Sequence, residues 1–121
     1  MKIYKNKNGK GVFIAPCDCA VMNDPDYVEL VAGSTDAAQE KHVPVVKIDG
    51  DTVTVDVGSV SHPMTEEHSI KFIVLQTTHG HQFRKLASTD APKAEFKLAD
   101  GEKAVAAYEY CNLHGLWVYN I

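Results

Sequence analysis

The sequence predicts an all-β fold, an immunoglobulin-like antiparallel β-sandwich of about seven strands. Alternating and β-branched segments dominate the chain, whereas helical periodicity is weak nearly everywhere. Turn residues separate these segments at short intervals, and two of the turns contain a glycine between strand-like runs, which is typical of hairpins. The chain has 121 residues, 45% of them apolar and 23% charged, which is the composition of an ordered globular protein. Short strands at this spacing favour an antiparallel sandwich.

Nine segments have the pattern that is expected of strands. Asp49-Gly50-Asp51 lies between two β-branched runs and therefore predicts a tight hairpin. His79-Gly80 lies between two further runs and predicts a second hairpin. The nine segments are residues 10–15, 27–31, 43–48, 52–57, 69–76, 82–86, 93–98, 104–110 and 116–119.

Two short helical turns are expected among these strands. One covers residues 63–68, and the other covers residues 35–40 with Thr35 or Asp36 as its cap. The chain contains no internal repeat, low-complexity segment or linker, so we expect a single hydrophobic core.

Charge and apolar pattern argue against several classes of function. The formal net charge of -4 and the lack of a basic stripe argue against a nucleic-acid binder. The longest apolar stretch, Phe72 to Leu75, is too short to span a membrane, and the lysine-rich start does not resemble a signal peptide. We therefore expect a cytoplasmic protein without membrane association. Cys17 and Cys19 are expected to be free thiols or packing residues, because a one-residue separation is unfavourable for a disulfide.

Metal-binding side chains are concentrated in three predicted loops. His42 precedes a strand, His62 and His68 bracket one loop, and Cys111 and His114 form a Cys-x-x-His pair in another. Such a pair allows both side chains to bind one transition-metal ion, although a buried cysteine beside an exposed histidine produces the same pattern. The joint pattern favours a metal site, because a sandwich groups its loops at its two ends.

The motifs of these loops resemble those of the superoxide reductases, the family that includes desulfoferrodoxin and neelaredoxin. The matching segments are residues 40–44 (Glu-Lys-His-Val-Pro), 62–70 (His-Pro-Met-Thr-Glu-Glu-His-Ser-Ile) and 111–117 (Cys-Asn-Leu-His-Gly-Leu-Trp), in the family's order and spacing. The resemblance runs from about Thr35 to Tyr119. It implies one mononuclear non-haem iron per chain and the one-electron reduction of superoxide to hydrogen peroxide.

The resemblance also implies a role for each site residue. Cys111 would be the axial thiolate, which donates electron density to the iron. Lys41 would lie beside the open coordination position and attract superoxide, and Glu40 would occupy that position when the iron is oxidised. The implied equatorial ligands are His42, His62, His68 and His114.

The N-terminal part of the chain departs from the desulfoferrodoxin pattern. Desulfoferrodoxins carry a small additional domain in which four cysteines hold a second iron, whereas here only Cys17 and Cys19 are present in that region. We therefore predict that residues 1–34 are a remnant or extension packed on a catalytic domain of residues 35–121. Family members also imply rubredoxin or a similar protein as electron donor, and a dimer or tetramer as the assembly.

Three other functions remain compatible with the residues alone. A closed zinc site on a β-sandwich is the first, although zinc prefers four ligands and the pattern offers five. An immunoglobulin-like interaction module with incidental histidines is the second. An oxygenase site of two histidines and one carboxylate is the third, and it would leave Cys111 without a role. His79 and His81 match no family ligand and are predicted to be surface residues.

Overall fold

The computed structural model describes residues 1–9, 11–17 and 22–121. The chain divides into two compact units, Met1–Val31 and Ala32–Ile121. The boundary between them lies three residues before the end of the N-terminal segment that the sequence predicts.

The N-terminal unit contains a three-stranded antiparallel sheet with the strand order β2-β1-β3. Its strands are β1 (Lys2–Asn6), β2 (Val12–Ala15) and β3 (Tyr27–Glu29). The central strand β1 is absent from the predicted strands, since it is short and lysine-flanked. Its two apolar residues, Ile3 and Tyr4, are nevertheless buried.

Cys17 follows β2 and takes part in a disulfide bond. The expectation of a free thiol is therefore wrong for this residue. That expectation used sequence separation alone, and separation does not specify the backbone conformation that decides whether two thiols can meet. Cys19 lies outside the described residues.

The C-terminal unit is a sandwich of two antiparallel sheets with seven strands, as predicted. One sheet has the order β4-β5-β8 and the other has the order β10-β9-β6-β7. The strands are β4 (Pro44–Asp49), β5 (Thr52–Val57), β6 (Ile70–Thr77), β7 (Gly80–Lys85), β8 (Lys93–Lys97), β9 (Ala104–Cys111) and β10 (Gly115–Asn120). Both predicted hairpins are confirmed, because Asp49 pairs with Thr52 and Thr77 pairs with Gly80 across two-residue turns.

The two sheets share one hydrophobic core. In β5 the alternation of threonine and valine directs three valines inward, and each of them is at most 1% exposed. The inner strand β6 has four consecutive apolar residues, Phe72 to Leu75, and Ile73 and Leu75 meet those valines in the core. The core residues are Val53, Val55, Val57, Ile70, Ile73, Leu75, Leu86, Ala94, Phe96, Ala107 and Cys111.

Among the residues that the structure describes, helical structure is limited to one short element, and both expected helical turns are wrong in position or kind. The helix α1 covers Gln39–His42 and begins after Ala38, which has no side-chain oxygen to cap it. Residues 63–65 have no regular structure and residues 66–68 form a bend, so this segment is not a helical turn. The cause is Thr65, whose backbone N–H donates to the His68 carbonyl and whose hydroxyl accepts the His68 N–H at 3.0 Å. Within the described part of the chain, no helix has the length and apolar character that crossing a bilayer requires.

Candidate metal centre

The five predicted ligand residues meet at one end of the sandwich. The starts of β4, β6 and β10 lie beside the ends of β5 and β9, since antiparallel pairing places Pro44 against Val57 and Cys111 against both Ile70 and Gly115. The segments at this end carry the ligands. One donor atom from each of His42, His62, His68, Cys111 and His114 lies within 4.8 Å of all the others.

The four imidazoles form a closed square in the order His42, His62, His68, His114. Neighbouring ring centroids are 4.6–5.0 Å apart, and neighbouring planes are inclined by 75–88°. The Nε2 atom of His42 lies 3.2 Å from His62 Nε2 and 3.1 Å from His114 Nδ1. Two ligands at right angles with metal–nitrogen bonds of about 2.1 Å would be about 3.0 Å apart. The square therefore has the size that a transition-metal ion requires.

Hydrogen bonds at the back of two rings settle which nitrogen faces the centre. The Nδ1 atoms of His42 and His62 each lie 2.7 Å from a backbone carbonyl oxygen, of Ala38 and Pro63 respectively. A carbonyl can only accept, so Nδ1 carries the proton in the neutral ring and Nε2 presents a lone pair. Two lone pairs then face each other at 3.2 Å, which a cation between them would satisfy.

Among the remaining donors, His68 lacks a partner other than an ion. The Nε2 atom of His68 is buried without a hydrogen-bond partner. The Cys111 side chain is 0% exposed, and its Sγ lies 3.9 Å from His114 Nδ1. A buried polar atom without a partner is costly, and a metal ion at the centre would remove that cost. The donor set therefore fits a metal ion of mixed nitrogen and sulfur preference, such as iron.

Burial favours the neutral form of three of the imidazoles. Desolvation lowers the pKa of His42 and His68, and it lowers the pKa of His62 to about 4. Neutral rings are the form that binds metal, so these three histidines need to lose no proton at pH 7. Burial has the opposite effect on Cys111, since it raises the pKa of the thiol and keeps the metal-free thiol protonated.

We predict that metal binding at pH 7 releases about one proton per chain, from Cys111. The apparent affinity should then rise about tenfold per pH unit between pH 7 and 8, because one proton leaves for each ion bound. Titration of cobalt(II) into weakly buffered metal-free protein measures the release directly. Cys111→Ala should release almost none, and equal release by both proteins would contradict the prediction.

Glu40 and Lys41 lie in α1 directly before His42, and both side chains are exposed. Neither belongs to the group of five donor atoms. The backbone of this segment is held firmly, because the Glu40 carbonyl accepts the Val60 N–H at 2.9 Å and the Ser59 hydroxyl at 3.3 Å.

Trp117, the last residue of the third motif, also contacts the site. Its ring stacks on His42 at 5.0 Å with planes 25° apart, and its Nε1 donates to the His114 carbonyl at 3.1 Å. Its position three residues after His114 in the third motif is the signal that could have revealed it. His79 is exposed and His81 is half-buried in the second hairpin, and neither joins the group of donors.

Comparison with known proteins agrees with this geometry. The family model described as desulfoferrodoxin matches residues 34–120. The chain belongs to the desulfoferrodoxin family. It is 40% identical to a desulfoferrodoxin of Clostridium acetobutylicum over 126 aligned residues, which cover 100% of this chain and 97% of that protein.

Two solved structures extend the desulfoferrodoxin comparison to the fold. The superoxide reductase of Treponema pallidum superposes with a TM-score of 0.77 at 40% identity, covering 91% of this chain and 93% of that one. The superoxide reductase (1Fe-SOR) of Giardia intestinalis gives a TM-score of 0.60 at 35% identity, covering 68% of this chain and 97% of that one. The family and the sandwich that the motifs predict are both confirmed.

Proposed function

We propose that this chain is a superoxide reductase that holds one iron and converts superoxide to hydrogen peroxide in antioxidant defence. The observation that carries the proposal is the meeting of four imidazoles and one thiol at a single point in a member of the desulfoferrodoxin family. Bound iron would supply the electron, and the five grouped donors would hold it and leave room for a small anion.

The ligand residues set the charge of the site. Neutral imidazoles add no charge, so a ferrous ion with the Cys111 thiolate has a net charge of +1 in a protein whose formal net charge is -4. This local positive charge suits an anionic substrate. As a ligand, the Cys111 thiolate would donate electron density and favour loss of an electron from a bound iron. Superoxide needs that one electron and two protons to become hydrogen peroxide.

Lys41 is proposed to attract superoxide to the site. Its support is its position directly before His42 on a backbone segment held by Val60 and Ser59. An exposed ammonium beside the iron adds to the local field that draws an anion to an acidic protein. Its ammonium would also stabilise the bound anion by direct charge interaction.

Replacing Lys41 with alanine should lower the bimolecular rate of oxidation of the ferrous protein by superoxide about tenfold at low ionic strength. The difference should shrink as salt is added, since about 0.1 M salt screens charges over about 10 Å. Lys103→Ala is the matched control. Lys103 is exposed and precedes the eight-residue β9, whose far end carries Cys111 about 27 Å away. Pulse-generated superoxide measures both rates, and equal losses in both variants would contradict a local role.

Glu40 is proposed to reach the open coordination position in the oxidised protein. Its support is its place two residues before His42 and the exposure of its side chain. Glu40→Ala should change the visible spectrum of the oxidised protein and leave that of the reduced protein unaltered. An unaltered oxidised spectrum would argue against the carboxylate as a ligand.

The remaining proposals concern the protein's surroundings. Rubredoxin or a similar small redox protein is proposed to donate the electrons. The chain is proposed to assemble as a dimer or tetramer and to be located in the cytoplasm. Residues 1–34 are proposed to be an N-terminal extension or the remnant of a lost iron domain. Cys111 is one of three cysteines, so two remain, which is too few for a four-cysteine iron site.

Metal analysis and spectroscopy test the proposed function together. We expect about one iron per chain, a visible band that appears on oxidation, and rapid oxidation of the ferrous form by superoxide. Stoichiometric zinc without colour would replace the proposal with a structural metal site, and the absence of bound metal would favour an interaction module. Reduction of the oxidised protein by reduced rubredoxin, and sedimentation, test the donor and the assembly.

A further inference from the structure

Asn112 connects two of the segments that carry ligands. These are the cysteine turn, residues 111–114, and the His68 segment, residues 65–69. The Asn112 Oδ1 accepts the Ser69 N–H at 3.0 Å, and its Nδ2 donates to the Glu67 carbonyl at 2.7 Å. The Asn112 backbone N–H donates to the Ser69 carbonyl at 3.3 Å. These three bonds bracket His68 on both sides.

His68 depends on such support more than its neighbours do. His42 and His62 are oriented through ring nitrogens that bond to carbonyls 2.7 Å away. The His68 ring has no hydrogen bond to any residue in the described part of the chain, and its Nε2 atom is buried without a partner. The direction of this ring therefore follows from its backbone. Thr65 holds that backbone from within the segment, and Asn112 holds it from the cysteine turn.

The contact requires the amide side chain of asparagine. One end must accept an N–H and the other must donate to a carbonyl, and a primary amide offers one acceptor and one donor group at a fixed separation. Aspartate of the same size would place an oxygen against the Glu67 carbonyl and lose the donor. Alanine would remove both bonds, although the cysteine turn would keep its backbone bond to Ser69.

We propose that Asn112 is a positioning residue that holds His68 at the correct distance and angle from Cys111 and His114, so that all five donors meet one ion. The inference rests on the proposed metal site and deepens it. Removing an outer partner that orients a metal ligand typically lowers metal affinity about 10- to about 100-fold. Replacement of Asn112 should therefore change the coordination geometry of the bound metal more than it changes the stability of the fold.

Cobalt(II) is the probe for this test, because its visible absorption reports ligand type and geometry. Wild type, Asn112→Ala, Asn112→Asp and the control Asn120→Ala are loaded with cobalt, and its release to a chelator is followed. Asn120 is exposed at the end of β10, away from the turn. We expect both Asn112 variants to release cobalt about 10 to about 100 times faster, with a shifted absorption spectrum. The control should match wild type, and all four metal-free proteins should remain folded.

Wild-type release rates and spectra in both Asn112 variants would overturn the proposal. A lowered metal-free midpoint with an unchanged cobalt spectrum would also overturn it, because Asn112 would then support only the fold. Asn112→Asp keeps the size of the side chain and carries the test if the alanine variant does not fold. Iron-loaded wild type that binds metal but ignores superoxide would sink the proposed function and leave this inference standing. Wild type that binds no metal would sink both.

Discussion

Replacing Cys111 with alanine is expected to abolish the visible absorption band of the oxidised iron protein. The band requires a thiolate bound to the ferric ion, and Cys111 has the only thiol among the five grouped donors. Metal affinity should fall by at least about 100-fold. Loss of a residue that only supports a ligand already lowers the affinity by up to about 100-fold, and loss of the ligand itself should cost more. Oxidation of the ferrous protein by superoxide should slow in parallel, since the electron-donating ligand is lost.

A suitable control lies in the same turn. Leu113 is 58% exposed and offers no donor atom, so Leu113→Ala should keep the band, the iron and the rate. Alanine at position 111 removes only a buried sulfur from the core, so the metal-free protein should remain folded. Absorption, iron content and circular dichroism measure these properties on the same samples. A band that survives in Cys111→Ala would end the case for a thiolate ligand.

Gly58→Ala is expected to damage both the fold and the metal site. A Cβ on Gly58 would lie 2.7 Å from the Glu40 carbonyl oxygen, 3.0 Å from the Val43 carbonyl oxygen and 3.2 Å from the carbonyl carbon of Lys41. All three are backbone atoms, and the Glu40 carbonyl is also bound by the Val60 N–H. The free energy of unfolding should fall by about 1–3 kcal/mol, as is usual for overpacking.

The damage should reach the ligands, because α1 carries His42 at its last position. Movement of this segment would displace His42 and Lys41 together, so cobalt should leave Gly58→Ala faster than wild type. Ser59→Ala is the control, since it removes only a 3.3 Å hydroxyl contact to the same carbonyl and should cost less than about 0.5 kcal/mol. Denaturant unfolding of the metal-free proteins and chelator-driven release check the two effects. Gly58→Ala with the stability and metal retention of Ser59→Ala would contradict the steric argument.

The seven-strand sandwich was predictable because its signals are local. The alternation in β5 and the two glycine hairpins depend on neighbouring residues, and pairing in the structure follows them. The strand β1 has only Ile3 and Tyr4 as apolar residues between lysines, so pattern alone could not distinguish it from an extended tail. The expected helical turn at residues 63–68 failed because Thr65 competes for the backbone groups that a helix would use.

The candidate site was predictable in its ligands, which lie in local motifs, but not in the contacts that support them. The ligand residues lie in three recognisable motifs, so the sequence identified the group that the structure brings together. The support of that group comes from contacts between distant residues. Asn112 bonds to Glu67 across 45 positions, and Trp117 stacks on His42. No periodicity or spacing rule reports such contacts, because they depend on how strands that are distant in the sequence are placed against each other.

The five ligand residues come from both sheets of the sandwich. His42 and His62 adjoin the strands of the β4-β5-β8 sheet, whereas His68, Cys111 and His114 adjoin the strands of the other sheet. An ion bound by all five is therefore a cross-link between sheets, and the sheets cannot separate at this end while it stays. By mass action, free metal at about 100 times its dissociation constant would add about 2.7 kcal/mol to the free energy of unfolding. The lifetime of the protein against proteolysis would then depend on the metal supply, as well as on its own sequence.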